Sequence, residues 1–376
     1  MLVRGVPDPS GHNGGVIDLQ AMLADLELLV NTESPSLDVP RLEVSAHVLA
    51  GVMERRLGSA PRIIDGPAGP HVYWSGGGSP KVLIVGHHDT VFPVGSCAER
   101  PFTIAEGRAT GPGIFDMKTG VVQAVHAVAS LADSSGVEIL ITADEEVGSG
   151  TSRALIEERA LACGNVLVCE ASADGGALKI ARKGTGGYEV VVHGRAAHAG
   201  LEPEKGINSL VAAAELILQI NTLGDPATAT TVTPTVASAG TAENVVPAMA
   251  RITVDVRVEQ PGEEQRLAAA FAALTTSVPG AIIEVTGGVD RPPMPSSASA
   301  TLFPVAVAAG AAIGMGEVVG VGVGGGSDGN FTAAIGVPTL DGLGAVGGGA
   351  HADHEYVLVD TLVPRAHLLA AIITRL

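Results

Sequence analysis

The sequence predicts an α/β protein of two domains. The larger is built on a mostly parallel sheet with helices on both faces, and a smaller α+β domain of ferredoxin-like order is inserted into it. Three observations carry this. Short β-branched runs alternate with helically spaced stretches, the order that right-handed βαβ crossovers produce. Near residue 184 the pattern changes to half-exposed alternation, in the order β-α-β-β-α-β. The chain also has 376 residues, more than one ordinary hydrophobic core supports.

Taken in order, residues 16–57 carry helical apolar spacing in "VIDLQAMLADLELLV" and again in "VPRLEVSAHVLAGVMERRL". Residues 81–86 form the first strand of the sheet. Val82, Leu83, Ile84 and Val85 are unbroken apolar residues, as in a strand covered on both faces. "VEILITAD" (137–144) and "NVLVCE" (165–170) follow as strands, with helices at 118–132 and 151–161. In the second block, "GYEVVVHGRAAHAG" opens as a half-exposed strand and "GINSLVAAAELILQI" is a helix. "ATTVTPTVASAG" and "ARITVDVRVEQ" are strands, and a helix (261–277) and the strand "AIIEVTGG" close the block. After "DRPPMP" (290–295) the chain returns to the larger domain. The expected boundaries are 1–183 and 292–376 for the larger domain and 184–291 for the insertion.

Apolar residues make up 46% and charged residues 16%, a globular rather than disordered composition. Aromatics are only 3%, so the core is expected to be built from Val, Ala, Leu and Ile. The net charge of −18 argues against nucleic acid or an anionic membrane as partner, because phosphate contacts need clustered Lys and Arg. Cys97, Cys163 and Cys169 form no metal or disulfide pattern, which suits a reducing compartment. "MLVRGVPDPSGHNGG" contains no apolar leader, and no run of about 18 apolar residues occurs. The expectation is a soluble cytoplasmic protein.

Ligands of parallel α/β sheets bind outside the carboxyl ends of the strands. The strand 81–86 ends at His87, His88 and Asp89; the strand 137–143 at Asp144, Glu145 and Glu146; the strand 165–169 at Glu170. "GPGIFDMKTG" (111–120) puts Asp116 in a turn just before a helix, and "GAVGGGAHADHEY" offers His351 in a Gly-rich loop. Each alone admits a plain reading: a turn residue, a solvated acidic loop or, for Asp116, a helix N-cap. Together they point to cations. Crowded carboxylates repel and take up protons unless neutralised. Oxygen and imidazole donors without thiolate suit zinc, manganese or cobalt. Two such ions about 3.5–4 Å apart serve as a hydrolytic clamp.

With "GHHDTV", "GPGIFDMKTG", "ADEEVGS", "VCEAS", "GRAAHAG", "GTAENVVPAMARITVDVR", "GGGSDGN" and "GGGAHADHEY", the chain resembles one family of dinuclear zinc metallopeptidases. That family includes glutamate carboxypeptidase (carboxypeptidase G), aminoacylase and succinyl-diaminopimelate desuccinylase, and the glutamate carboxypeptidase branch is the nearest in motif. The ordered match runs from about residue 81 to 357. The resemblance implies that the larger domain is catalytic and holds two Zn2+, with Co2+ or Mn2+ as substitutes. It implies that His87 and Glu170 bind one ion, Glu146 and His351 the other, and that Asp116 bridges both, with a cis peptide to Met117. Asp89 would orient His87. Glu145 would be the general base, moving a proton from the water between the ions to the leaving amine.

The inserted domain is implied to act as lid and dimerisation element of a homodimer. His198 of the partner chain would stabilise the oxyanion. Arg257 would pair with the substrate carboxylate, assisted by Asn244. Arg291 and Lys183 flank the hinges and would reach a second carboxylate. The "GVGVGGGSDGN" run, with Gly326 and Ser327, would wrap the carboxylate end of the substrate. His198 as a strand-end histidine, and Arg257, Arg291 and Lys183 as solvated charges, are the plain alternatives. His88 is expected to make only a local hydrogen bond. Thr119 stands where the family has Gly, and Glu170 where the glutamate carboxypeptidase branch has Asp.

The function expected is hydrolysis of an amide bond in a small peptide or N-acyl amino acid with a free carboxylate. A glutamate carboxypeptidase comes first, an N-acyl amino acid deacylase second, a dipeptidase or aminopeptidase third. From another class, Gly320, Gly322 and Gly325 satisfy G-x-G-x-x-G with Asp341 about 20 residues on, the mark of an NAD-binding oxidoreductase. It falls too late in the chain for the rest of such a fold. A non-catalytic relative would be expected to have lost ligands, and all five and Glu145 are present.

Overall fold

Val82–His87 is a strand buried at every position, and its two faces feed different cores. Val82 and Ile84 join one hydrophobic cluster, Leu83 and Val85 another, as the two-residue period of a strand requires. The computed structural model describes residues 16–376; residues 1–15, read above as carrying no apolar leader, lie outside the described residues. The chain divides into two compact units. One runs to Ala181 and resumes over Ser296–Val323 and Ser327–Leu376; the other comprises Arg182–Pro295 with Gly324–Gly326.

The first unit holds a six-stranded sheet in the order Arg62–Ile64, His71–Ser75, Val137–Thr142, Val82–His87, Val166–Val168, Thr339–Leu340. Its last four strands run parallel, and the first two add an antiparallel edge. Helices Leu19–Val30, Val39–Leu57, Thr119–Ala129 and Leu362–Ile373 pack on one face through Leu26, Leu49, Val125 and Leu369. Helix Arg153–Cys163 packs on the other through Ile156 and Ala160. Helices therefore cover both faces of a mostly parallel sheet, as the sequence predicts.

Where boundaries differ from expectation, local chemistry explains it. The stretch 16–57 is two helices, because Asp38 caps the second by accepting from the Arg41 N–H, with Pro40 in its first turn. The strand expected over 137–144 ends at Thr142, since the Ala143 N–H donates to His71 Nδ1 instead of a neighbouring strand. Gly320 and Gly322 lie inside the short strand Gly320–Val323 of a two-stranded sheet, not in a turn between a parallel strand and a helix. The dinucleotide fingerprint is therefore fortuitous.

The second unit is a four-stranded antiparallel sheet in the order Thr231–Ala239, Met249–Val258, Gly184–His193, Ile282–Arg291. Helices Ser209–Ile220 and Glu263–Ala272 cover one face, where Leu216, Ile220, Leu267 and Phe271 meet Val190, Ile252 and Val254. Tyr188 stacks on Phe271 with ring centroids 3.7 Å apart. The element order is the ferredoxin-like one read from the sequence. The helix expected over 261–277 is confined to Glu263–Ala272. Among the described residues no helix is long and apolar enough to cross a membrane.

Candidate metal centre

Strand Val82–His87 delivers His87 to its carboxyl end with 1% exposure. The ring Nδ1 donates to the Asp89 carbonyl oxygen at 3.0 Å and lies 3.4 Å from Asp89 Oδ1. The shorter contact thus runs to the backbone rather than to the carboxylate. Nε2 faces the opposite way, 3.2 Å from Asp116 Oδ1 and 3.6 Å from Glu170 Oε1. Fixing one ring nitrogen on a carbonyl is the usual way to aim the other at a ligand.

Asp116 sits in the loop before helix Thr119–Ala129, and its peptide to Met117 is cis. Its two carboxylate oxygens face different imidazoles: Oδ1 faces His87, and Oδ2 lies 3.3 Å from His351 Nε2. That same Nε2 lies 3.0 Å from Glu146 Oε2. Glu145 and Glu146 start a single 3-10 turn after strand Val137–Thr142. Ligand atoms of His87, Asp116 and Glu146 fall within 4.8 Å of one another, as do those of His87, Glu145 and Glu170.

The electrostatics follow from crowding. Burial alone would lower the His87 imidazole, but bonds to Asp116, Asp89 and Glu170 outweigh it and hold the ring well above its ordinary value. Bonds to Asp116 and Glu146 push His351 up to about 10. Burial would raise Asp116, yet the two imidazoles hold it well below the usual carboxylate range. Burial raises Glu146. Protons on the imidazoles therefore do what a cation between these acids would do. Glu146 Oε1 is buried without a hydrogen-bond partner among the described residues. Oxygen and imidazole donors sharing one carboxylate fit a pair of divalent cations.

Other expected site residues are placed as follows. Ser327 is fully buried; its hydroxyl donates to Asp341 Oδ2 at 2.5 Å and accepts from the Gly329 N–H. Asp341 thus serves Ser327 and is no ribose ligand. His88 makes the local bonds expected of it, to Ser45 Oγ and the Pro70 carbonyl, both at 3.0 Å, and burial lowers it to about 4. The second unit carries His198, Asn244, Arg257, Arg291, Lys183 and Gly326. Exposed His198 accepts the N–H of Gly200 and of Leu201 on Nδ1 at 3.1 Å each. The Asn244 carbonyl accepts from the Ala199 N–H. Arg257 donates to both oxygens of Asp255, at 3.1 and 2.8 Å. Lys183 donates to the Ala229 carbonyl, Gly326 accepts from Arg182, and Arg291 is buried.

Two buried residues escaped the sequence reading. Lys118 spends its ammonium on the Thr32 carbonyl, and burial lowers it to about 8. Glu355 accepts three backbone N–H groups of the Asp116 loop, and burial outweighs those donors to raise it to about 7. Both lie within motifs quoted above, but a motif does not distinguish a ligand from a prop.

The model of peptidase family M20/M25/M40 matches residues 83–375. Carboxypeptidase G2 of Pseudomonas sp. is 31% identical over 372 residues, covering 94% of this chain and 88% of that protein. A succinyl-diaminopimelate desuccinylase of Caulobacter vibrioides is 30% identical over 209 residues, 50% of this chain and 54% of its own length. Among solved structures, an aminopeptidase PepT of Bacillus cereus superposes with a TM-score of 0.77 at 24% identity. It covers 96% of this chain and 99% of that one, a likeness of fold.

Proposed function

We propose that this chain, which belongs to peptidase family M20/M25/M40, is a glutamate-type carboxypeptidase dependent on two divalent cations, zinc foremost. The observation that carries the reading is Asp116, whose two oxygens face His87 and His351 while the buried Oε1 of Glu146 has no partner among the described residues. His87 and Glu170 would hold one ion, Glu146 and His351 the other, with Asp116 between them. Bound there, the cations supply Lewis acidity, polarising the scissile carbonyl and acidifying the attacking water.

The chain's own groups do the rest. Glu145 takes the proton of the attacking water on its carboxylate as the C–O bond forms and the carbonyl oxygen becomes an oxyanion, then delivers it to the amine nitrogen as the C–N bond breaks. Asp89 keeps His87 aimed at the centre. Arg257 exchanges Asp255 for the substrate's carboxylate, a bidentate partner of the same shape. Asn244, Arg291, Lys183, Gly326 and Ser327 complete or support the carboxylate pocket. The chain acts as a homodimer through its second unit, and His198 of one copy donates to the oxyanion of the other.

A second reading, an N-acyl amino acid deacylase, is favoured by the similarity to a succinyl-diaminopimelate desuccinylase. Glu170 in place of the branch's Asp leaves both open. A hydrolysis screen with zinc-loaded protein separates them. It follows amine release from peptidyl and N-acyl derivatives of Glu, Asp, Ala and Arg. Preference for peptidyl glutamate supports the carboxypeptidase. Preference for N-acyl substrates supports the deacylase. No transition metal in fresh protein and no zinc-stimulated turnover on any substrate overturns both.

A further inference from the structure

Glu355 is an acid that no part of the proposed chemistry uses, yet it is only 1% exposed. Its Oε2 accepts from the Gly113 N–H at 2.9 Å, and its Oε1 from the N–H groups of Phe115 and Asp116 at 2.7 and 2.8 Å. The Gly113–Asp116 segment lies outside any strand, so these amides have no ladder to serve them, and buried N–H groups require acceptors. Gly113 has φ +71, and the Ile114 N–H donates to the Gly111 carbonyl, so the amides on either side of Ile114 are the ones that meet Glu355. Three amides of one short segment converging in this way make a concave anion seat. Here the anion is a side chain of the protein itself.

The same residue closes the loop that carries His351. The Glu355 N–H donates to the Ala352 carbonyl at 3.1 Å, and the Ala352 N–H to the Gly349 carbonyl at 2.9 Å. Inside this turn His351 adopts φ +62, a left-handed conformation uncommon for a residue with a Cβ. Directly after it, strand Tyr356–Leu358 pairs antiparallel with Arg108–Thr110, Tyr356 facing Thr110. Both loops therefore leave the same end of the two central strands of a four-stranded sheet, and Glu355 stands at the fork. One loop presents Asp116 and the other His351, whose Nε2 and Oδ2 lie 3.3 Å apart.

We infer that Glu355 is a positioning residue, which locks the Asp116 and His351 loops into one frame and so sets the spacing of the two groups for the cations. This rests on the metal-dependent reading above. The chemistry dictates which substitution is informative. Glu355→Gln keeps the volume, but offers one acceptor oxygen and turns an NH2 group toward amides that also donate. A residue present only to fill space tolerates that exchange.

The test is metal binding, which needs no substrate. Wild type and E355Q are stripped with chelator, checked for folding by circular dichroism and Tm, and titrated with Zn2+ and Co2+. Expected is an apparent affinity about 10- to 100-fold weaker in E355Q, the range found when partners of metal ligands are removed, with an altered Co2+ absorption spectrum. E355D, which keeps both oxygens but withdraws them, should fall between the two. Wild-type affinity and spectrum in either folded variant overturn the inference, as does failure of both to fold, which would make Glu355 a core acid. If wild type itself binds neither ion, it is the metal-dependent reading that fails.

Discussion

The Glu145 N–H donates to Asp89 Oδ1 at 3.2 Å, so the residue expected to move protons hangs from the residue expected to aim His87. The other oxygen, Oδ2, receives the Glu146 N–H at 3.3 Å and the Ser36 hydroxyl at 2.7 Å. One buried carboxylate thereby sets the positions of Glu145 and Glu146, while the carbonyl of the same residue holds His87. In Asp89→Asn the side-chain NH2 must face one of these donors. Metal affinity should fall about 10- to 100-fold, and kcat should fall with it while KM changes little. Metal content after dialysis and steady-state rates check this; wild-type values for both would show that Asp89 is a spectator.

Glu145 shares a cluster with His87 and Glu170, so proximity alone would allow it to be a ligand. The proposed role separates the two. Glu145→Ala should retain a full complement of metal and turn over at least ~100-fold more slowly, the scale of general-base loss. Loss of metal in proportion to activity would reassign Glu145 as a ligand.

How much of this site could be read in the sequence depended on where each residue sits. His87, Asp89, Glu145, Glu146 and Glu170 follow strands whose apolar runs mark their carboxyl ends, and in a parallel sheet those ends converge. Asp116 and His351 lie on loops, where no periodicity fixes position: their Gly-rich surroundings made them candidates, and only the family resemblance gave each its role. Glu355 was illegible for a physical reason: an acid whose partners are backbone amides leaves no complementary residue to find. The same logic holds for the fold. Unbroken apolar runs located the strands of the larger domain and alternation those of the insertion, whereas Asp38 capping a helix inside 16–57 had to compete with continuous apolar spacing.

His198 accepts two backbone N–H groups on Nδ1, so in the neutral ring Nε2 carries the proton and points a donor outward. A donor of this kind suits an oxyanion. His198→Ala should cut kcat by about two to three powers of ten with little change in KM. A pure KM effect would make His198 a binding residue. Mixing His198→Ala with Glu145→Ala should restore part of the activity if the imidazole is supplied across a homodimer, and none if it acts within its own chain.

Gly120 opens helix Thr119–Ala129 so close to the sheet that an added Cβ would lie 1.9 Å from the Cys169 carbonyl oxygen. Backbone on both sides leaves nothing flexible to yield. Gly120→Ala should destabilise by about 1–3 kcal/mol or more through overpacking. Gly51→Ala is the contrast, because its Cβ would meet only the end of the Arg55 side chain at 3.6 Å in mid-helix. That variant should gain about 0.5–1 kcal/mol from helix propensity. Urea midpoints measure both, and equal shifts of the same sign would contradict the geometry.

Asp25 is the buried acid whose titration has the clearest consequence for stability. Its carboxylate accepts from Arg56 Nε at 2.7 Å, His126 Nε2 at 2.8 Å and Arg55 Nη2 at 3.3 Å, on a residue with 3% exposure. Burial raises the group, but the bonds to His126 and Arg56 outweigh it and bring it from 3.8 down to about 2. A carboxylate depressed in the folded state contributes stability that is fully present above its unfolded value. That contribution is lost as pH falls toward the folded value. Asp25→Asn removes the charge at every pH and should cost about 1–3 kcal/mol near neutrality, the range for a hydrogen-bonded charged group. The gap between variant and wild type should hold at pH 5 and close as the pH is taken below about 4. Urea titrations across that interval read it directly. A gap that widens on acidification would mean that Asp25 is bound as the neutral acid, and would reverse the assignment of Arg56 and His126 as its stabilising partners.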